Sequence, residues 1–305
     1  MKNWRKYLSF IGIAIFIYIL IKINIIRIFN VILKTNLSLL LLSICLLPLF
    51  LFFQTFKWFV IARKQKIEVP FKEAFKINLI GNFYGFITPS KIGNIIRADY
   101  LKRYGSLGKG ITNFILDKFL DVSSVFFLAI FFSFIFRKEL SFIPLNFFIF
   151  LFIILVCGGF LFLNKKVMKF SLGIFYRKLV PKNLKEKAKL SFNSFYDNLP
   201  KKRYFPIFFI FNLITWIFTY YITFIIGRSL GINLSFIYFL AILPIGTLVA
   251  LIPITINGLG TREATLITLF SLFGIAPEKT FSLSMLAIII NILPSLAGIF
   301  FTFED

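Results

Sequence analysis

Arg97, Asp117, Asp121, Arg262 and Glu263 are charged side chains set within or beside long apolar runs of this 305-residue chain. In a low-dielectric setting each must meet an opposite charge, a ligand or water, because an unpaired charge there is costly. A guanidinium offers a planar fork of donors that matches the oxygens of a carboxylate or a phosphate. Arg97 and Arg262 therefore have two readings: each holds the phosphate of a lipid head group, or each neutralises Asp99, Asp117, Asp121 or Glu263. Asp117 and Asp121 stand four residues apart on one helical face with Lys118 beside them, a spacing suited to ion pairs with Arg97 or Lys118; a proton relay is their second reading. The chain has no histidine, the commonest metal ligand and general base, so no metal, cofactor or catalytic residue is assigned. Cys45 and Cys157 lie inside apolar runs with no partner nearby in sequence and read as buried packing residues.

The two arginines belong to stretches that interrupt the apolar pattern. The first, GNFYGFITPSKIGNIIRADYLKRYG over 81–105, breaks at Pro89; the second, PITINGLGT over 253–261, carries Gly258 and Gly260. Irregular backbone at membrane depth must be buried in protein or line a wet cavity, since lipid satisfies neither amides nor carbonyls. After Pro89 a helix can restart with Ser90 as its cap, and another can restart after Gly260, with Glu263 placed to cap its free amides. Both tips, facing inward, suit an anion. On this reading Arg97 sits about two turns into the first restarted helix and Arg262 in the first turn of the second. Gly93, Gly258 and Gly260 let backbone approach a ligand. Asn78 and Asn82 are assigned a helix-to-helix hydrogen bond, and Lys57 and Arg63 near Trp58 an interfacial anchor.

The elements that must position these residues are membrane helices. The chain is 59% hydrophobic and 19% aromatic, with mean hydropathy +0.89, far from a soluble balance. The fold class is an all-α polytopic membrane protein forming one integral membrane domain, 1–305. Six segments reach the roughly 20 apolar residues that a span needs: Tyr7 to Ile26, Leu37 to Ala62, Ile111 to Phe136, Phe142 to Leu163, Tyr204 to Ile226 and Thr280 to Phe301. The first has a signal-like basic then apolar pattern but no small-residue cleavage site, and is read as a retained helix. Two further regions, about 71–104 and 236–274, are broken re-entrant pairs. Net charge is +23, but the basic residues lie between apolar runs and leave no polar domain to hold nucleic acid. The loop 164–203 carries twelve Lys and Arg against Glu186 and Asp197. By the positive-inside rule it is cytoplasmic, and counting spans puts both termini there too. The two broken pairs then enter from opposite sides, the sequence pointer to an inverted repeat with a site near the midplane.

Three stretches carry a family likeness: NFYGFITPSKIGNIIRADYLKRYG (82–105), FILDKFLDV (114–122) and LIPITINGLGTREATLITLFSLFG (251–274). Through them the chain resembles the flippase-like family, also called the lysylphosphatidylglycerol synthase transmembrane region family. The resemblance implies movement of phospholipids or polyprenyl-linked lipids, with Pro89, Gly93, Arg97, Pro253, Gly258, Gly260, Arg262 and Glu263 at the matching positions. Asn94 stands where the family usually has an acid, so a charge pair expected there is absent. No aminoacyltransferase domain follows, and lysyl transfer is not assigned. The sequence therefore leads to a lipid translocator of the plasma membrane whose partners are anionic phospholipid or polyprenyl-phosphate lipid and a lipid-modifying enzyme. A membrane enzyme using Asp117, Asp121 or Glu263 as base, or a scaffold acting through the basic loop, are the alternatives.

Overall fold

A computed structural model describes residues 15–23, 25–138, 145–167, 169, 192–251 and 258–302. The N-terminal run before residue 15, most of the basic loop and the stretch 252–257 with Pro253 lie outside the described residues. Every element among the described residues is helical. In the first half these are α1 (Ile15–Ile23), α2 (Ile25–Leu33), α3 (Leu37–Cys45), α4 (Leu47–Lys64), α5 (Phe71–Phe86), a 3-10 segment (Pro89–Ile95), α6 (Ile96–Leu101) and α7 (Leu107–Ile135). The second half holds α8 (Leu145–Phe162), α9 (Phe205–Ser229), α10 (Phe236–Leu251), α11 (Thr261–Ser271) and α12 (Pro277–Thr302).

Local chemistry sets several boundaries. Asn36 caps α3 by accepting from Leu39 N at 3.2 Å, and Ser106 caps α7 by accepting from Lys109 N at 3.3 Å. Prolines stand in the first turns of α4 and α9, where the missing amide costs nothing. Among the described residues four helices are long and apolar enough to span: Leu37–Lys64, Leu107–Ile135, Lys202–Ser229 and Pro277–Thr302. α1 and α2 add a fifth if counted together, but they meet at 73°. This corrects the sequence count of six: the first expected span is bent, and the fourth, around α8, is described only from 145. Large aliphatic and aromatic side chains such as Phe29, Leu41, Phe131, Phe134, Ile210 and Phe300 are exposed on the outer faces, the surface expected of a chain whose solvent is lipid. Cys45 and Cys157 are free, as read from the sequence, but exposed rather than buried.

Neither broken pair has a helix long enough to cross. α5 and α10 have 16 residues each, about 24 Å of rise against a core of about 30 Å. Each pair folds back on itself: the 3-10 segment packs on α5, and α11 packs on α10. Gly93 makes the first return possible, since a Cβ there would collide with the carbonyl of Tyr84. At Gly258, φ is +77° and a Cβ would collide with Ala250, so only glycine fits the second return.

The halves exchange with one another. Leu37–Lys64 and Lys202–Ser229 are both 28 residues long, and a displacement of 165 residues superposes them end on end (37 to 202, 64 to 229). The same displacement carries α5 onto α10 (71 to 236) and the start of α6 onto the start of α11 (96 to 261). The packing follows: α5 lies on α12 and α10 on α7; α4 touches α5 and α7 as α9 touches α10 and α12; α6 packs on α7 and α11 on α12; α2 borders α12 and α8 borders α7. α4 and α9, each other's counterpart, pack together. These reciprocal contacts are what an inverted repeat expects, and α9 packs on α7 as well.

Candidate functional site

The α4–α9 contact, where a two-fold would pass, holds a buried polar centre. Lys57 of α4 donates to Asp117 Oδ1 at 2.8 Å, to Asn212 Oδ1 of α9 at 3.1 Å, and to Asp121 Oδ1. Its three ammonium protons are thus all used. Arg97 of α6 reaches Asp117 Oδ2 at 2.7 Å, Trp216 Nε1 donates to Asp121 Oδ1 at 3.2 Å, and Lys118 lies 3.5 Å from Asp121 Oδ2. Lys57, Arg97 and Asp117 are 4%, 5% and 1% exposed. Burying such charges is costly unless they are paired at close range and their protons and lone pairs are satisfied. Lys57 is therefore not the interfacial anchor read from the sequence, and Trp58 beside it is fully buried. The ring of Trp58 lies under the Arg97 guanidinium, 5.3 Å from centroid to Cζ, and its Nε1 donates to Asn78. Asn78 and Asn82 both donate to Gln54 Oε1, at 3.0 and 2.7 Å, which is the helix-to-helix bonding read for them.

The structure places the sequence-read residues in two groups. Arg97, Asp117 and Asp121 meet in the Lys57 centre. Because α6 begins at Ile96 after the 3-10 segment, Arg97 is the second residue of its helix and not two turns in. Thr88, rather than Ser90, precedes that segment, accepting from Gly93 N at 2.7 Å; Pro89 opens it. Gly81 accommodates the arginine, since a Cβ there would come within 2.7 Å of Arg97 Cγ.

Arg262, Glu263, Gly258 and Gly260 form the second group. Glu263 Oε2 accepts from Gly260 N at 2.6 Å and Oε1 from Ser284 Oγ of α12 at 2.7 Å. The carboxylate is 1% exposed and serves as the cap expected of it. Arg262 is partly buried, within electrostatic reach of Glu263 and Tyr220, but among the described residues it forms no hydrogen bond or ion pair. The neighbouring stretch 252–257 contains no acid. Trp216, bonded to Asp121, has its ring 5.6 Å from that of Tyr220, which is within electrostatic reach of Arg262.

Sequence reasoning missed Lys57, Gln54 and the α9 face of Asn212, Trp216 and Tyr220. A lone lysine inside a span that also carries Gln54, and a polar residue recurring every fourth position of α9, were the available signals. It also missed that the 165-residue displacement carries Gly81 to Gly246, Gly93 to Gly258 and Arg97 to Arg262.

A family model described as the lysylphosphatidylglycerol synthase TM region matches residues 9–298. A UPF0104 membrane protein of Methanocaldococcus jannaschii is 27% identical over 290 residues, covering 89% of this chain and 86% of the relative. A second, from Methanothermobacter thermautotrophicus, is 24% identical over 245 residues, covering 73% and 72%.

Proposed function

The chain belongs to the lysylphosphatidylglycerol synthase transmembrane region family, a multi-pass membrane family, and from that premise we propose that it moves a phospholipid or polyprenyl-linked lipid between the leaflets of the plasma membrane. The observation that carries this reading is the pair of broken helices exchanged by the 165-residue displacement, each supplying one arginine as the second residue of its restarted helix. Paired interrupted helices in opposed repeats are the architecture in which one repeat rocks against the other around a central site. Arg262 is the side chain available to a head-group phosphate: it is a partly buried cation, and Glu263 is already engaged with Gly260 and Ser284. The acyl chains stay in the bilayer along the exposed apolar faces. An enzyme that modifies the transported lipid is the expected protein partner, and the protein itself acts as a carrier.

The test is reconstitution into liposomes with head-group-labelled lipids, scored for leaflet exchange and for chemical change of the label. Exchange above that of empty liposomes is expected, and it should fall on Arg262→Gln. Folded protein giving no exchange overturns the reading, and a converted lipid would transfer the assignment to a membrane enzyme.

A further inference from the structure

Arg97 and Arg262 are one position of the repeat, yet they differ in what they hold. Arg97 is bonded to Asp117. The residue displaced by 165 from Asp117 is Ser282, whose hydroxyl donates to the Glu278 carbonyl at 2.7 Å, so the second repeat offers its arginine no acid there. The surroundings of Arg97 are those of a cradle. Gly81 leaves room for its stem, Trp58 underlies its plane, and Asn94, 7% exposed, has a side-chain oxygen without a partner.

We propose that Asp117 occupies the first repeat's anion site as a built-in carboxylate ligand, and that a phosphodiester head group displaces it from Arg97. The protein then carries two equivalent arginine sites, of which Arg262 is open and Arg97 plugged in this conformation. The inference rests on the translocator reading and adds to it the class of ligand and the order of the sites. Displacement leaves no stranded charge: Asp117 Oδ1 remains bonded to Lys57 when Oδ2 is released. The charges of the centre set the class. Lys57, Arg97 and Lys118 stand against Asp117 and Asp121, so one positive charge is in excess. A phosphodiester with a single negative charge neutralises it, whereas a phosphomonoester, with about −1.5 to −2 at neutral pH, overshoots.

The experiment counts bound dihexanoyl phosphatidylglycerol, a soluble phosphodiester, on the full chain in phosphate-free maltoside micelles by native mass spectrometry, with dihexanoyl phosphatidic acid as the monoester comparator. At sub-saturating diester wild type should bind one equivalent, lost on Arg262→Gln, and it should take a second only at saturation, when the lipid displaces Asp117. Asp117→Asn should bind two, and Arg97→Gln combined with Asp117→Asn should return to one. At the second site of wild type, where Asp117 stays with Lys57, the diester should outcompete the monoester. A single equivalent on folded Asp117→Asn, or a second that survives loss of Arg97, overturns the plug. Wild-type binding that survives Arg262→Gln instead removes the Arg262 assignment made above, while the Asp117 comparison still decides this inference. Should Asp117→Asn not fold, Trp58 reports in its place. With Trp4 and Trp216 changed to Phe and Asp117 intact, saturating diester should shift Trp58 emission, and Arg97→Gln should abolish the shift; no shift overturns the proposal.

Discussion

Lys57 binds two carboxylates and an amide in a site that water does not reach, so its removal strands charge instead of deleting one contact. Lys57→Met should cost about 3–5 kcal/mol, the usual consequence of breaking a buried pair from one side. Adding Asp121→Asn should recover much of that loss, because it removes the carboxylate that Lys57 bonded most closely while Asp117 keeps Arg97; thermal unfolding of the purified variants in detergent measures both. Arg262 and Glu263 should behave in the opposite sense to their adjacency. Arg262→Gln should leave stability within about 1 kcal/mol of wild type, since no bonded partner is lost. Glu263→Gln turns one of two accepting oxygens into a donor facing Gly260 N or Ser284 Oγ, and should cost about 1–3 kcal/mol. Equal losses for these two variants would mean that the pair is a single ion bridge.

At the scale of elements, the glycines of the broken pairs face their own chain. Gly93 lies against Tyr84 and Gly258 against Ala250, and both let the returning segment pack onto the first helix of the pair. Gly258→Ala combines a left-handed φ with a collision and should destabilise by more than the roughly 1 kcal/mol typical of a point change; unfolding at wild-type temperature would show that the return is looser than described. The positions of both broken pairs were legible in the sequence, because glycine, proline and polar residues interrupt an otherwise apolar pattern. What joins the elements was not. Lys57 lies 60 or more positions from Asp117 and from Asn212, and no local pattern links it to them, whereas the Arg97–Asp117 and Lys118–Asp121 pairs were legible in the spacing. Arg97 was misplaced along its helix because a 3-10 segment cannot be told from α-helix by composition. The bend between α1 and α2 falls where Lys22, Asn24 and Arg27 interrupt the apolar run, a mark that a count of apolar residues passes over.

Across the whole molecule, the opposed insertion proposed for the two broken pairs is tested by labelling from each side. Cysteines placed singly at Lys185 and Gly105 should be labelled from the cytoplasm alone, and one at the exposed Asn233 from outside alone. The background for this test must first lose Cys45 and Cys157, which are themselves exposed. Labelling of Lys185 from outside would invert the topology and with it the order in which the two arginine sites meet substrate. The buried centre also bears on how the chain enters the bilayer. Lys57 precedes its partners Asp117 and Asp121 by 60 residues or more, so during synthesis α4 meets the bilayer before either partner carboxylate is there to meet its ammonium. A central lysine costs a newly inserting helix about 2.5–3.5 kcal/mol, while each leucine, isoleucine, phenylalanine or valine returns about 0.3–0.6. The leucine-rich stretch of α3, continuous with α4 in a 28-residue span, is long enough to carry the lone cation into the membrane and hold it until the rest of the first half arrives.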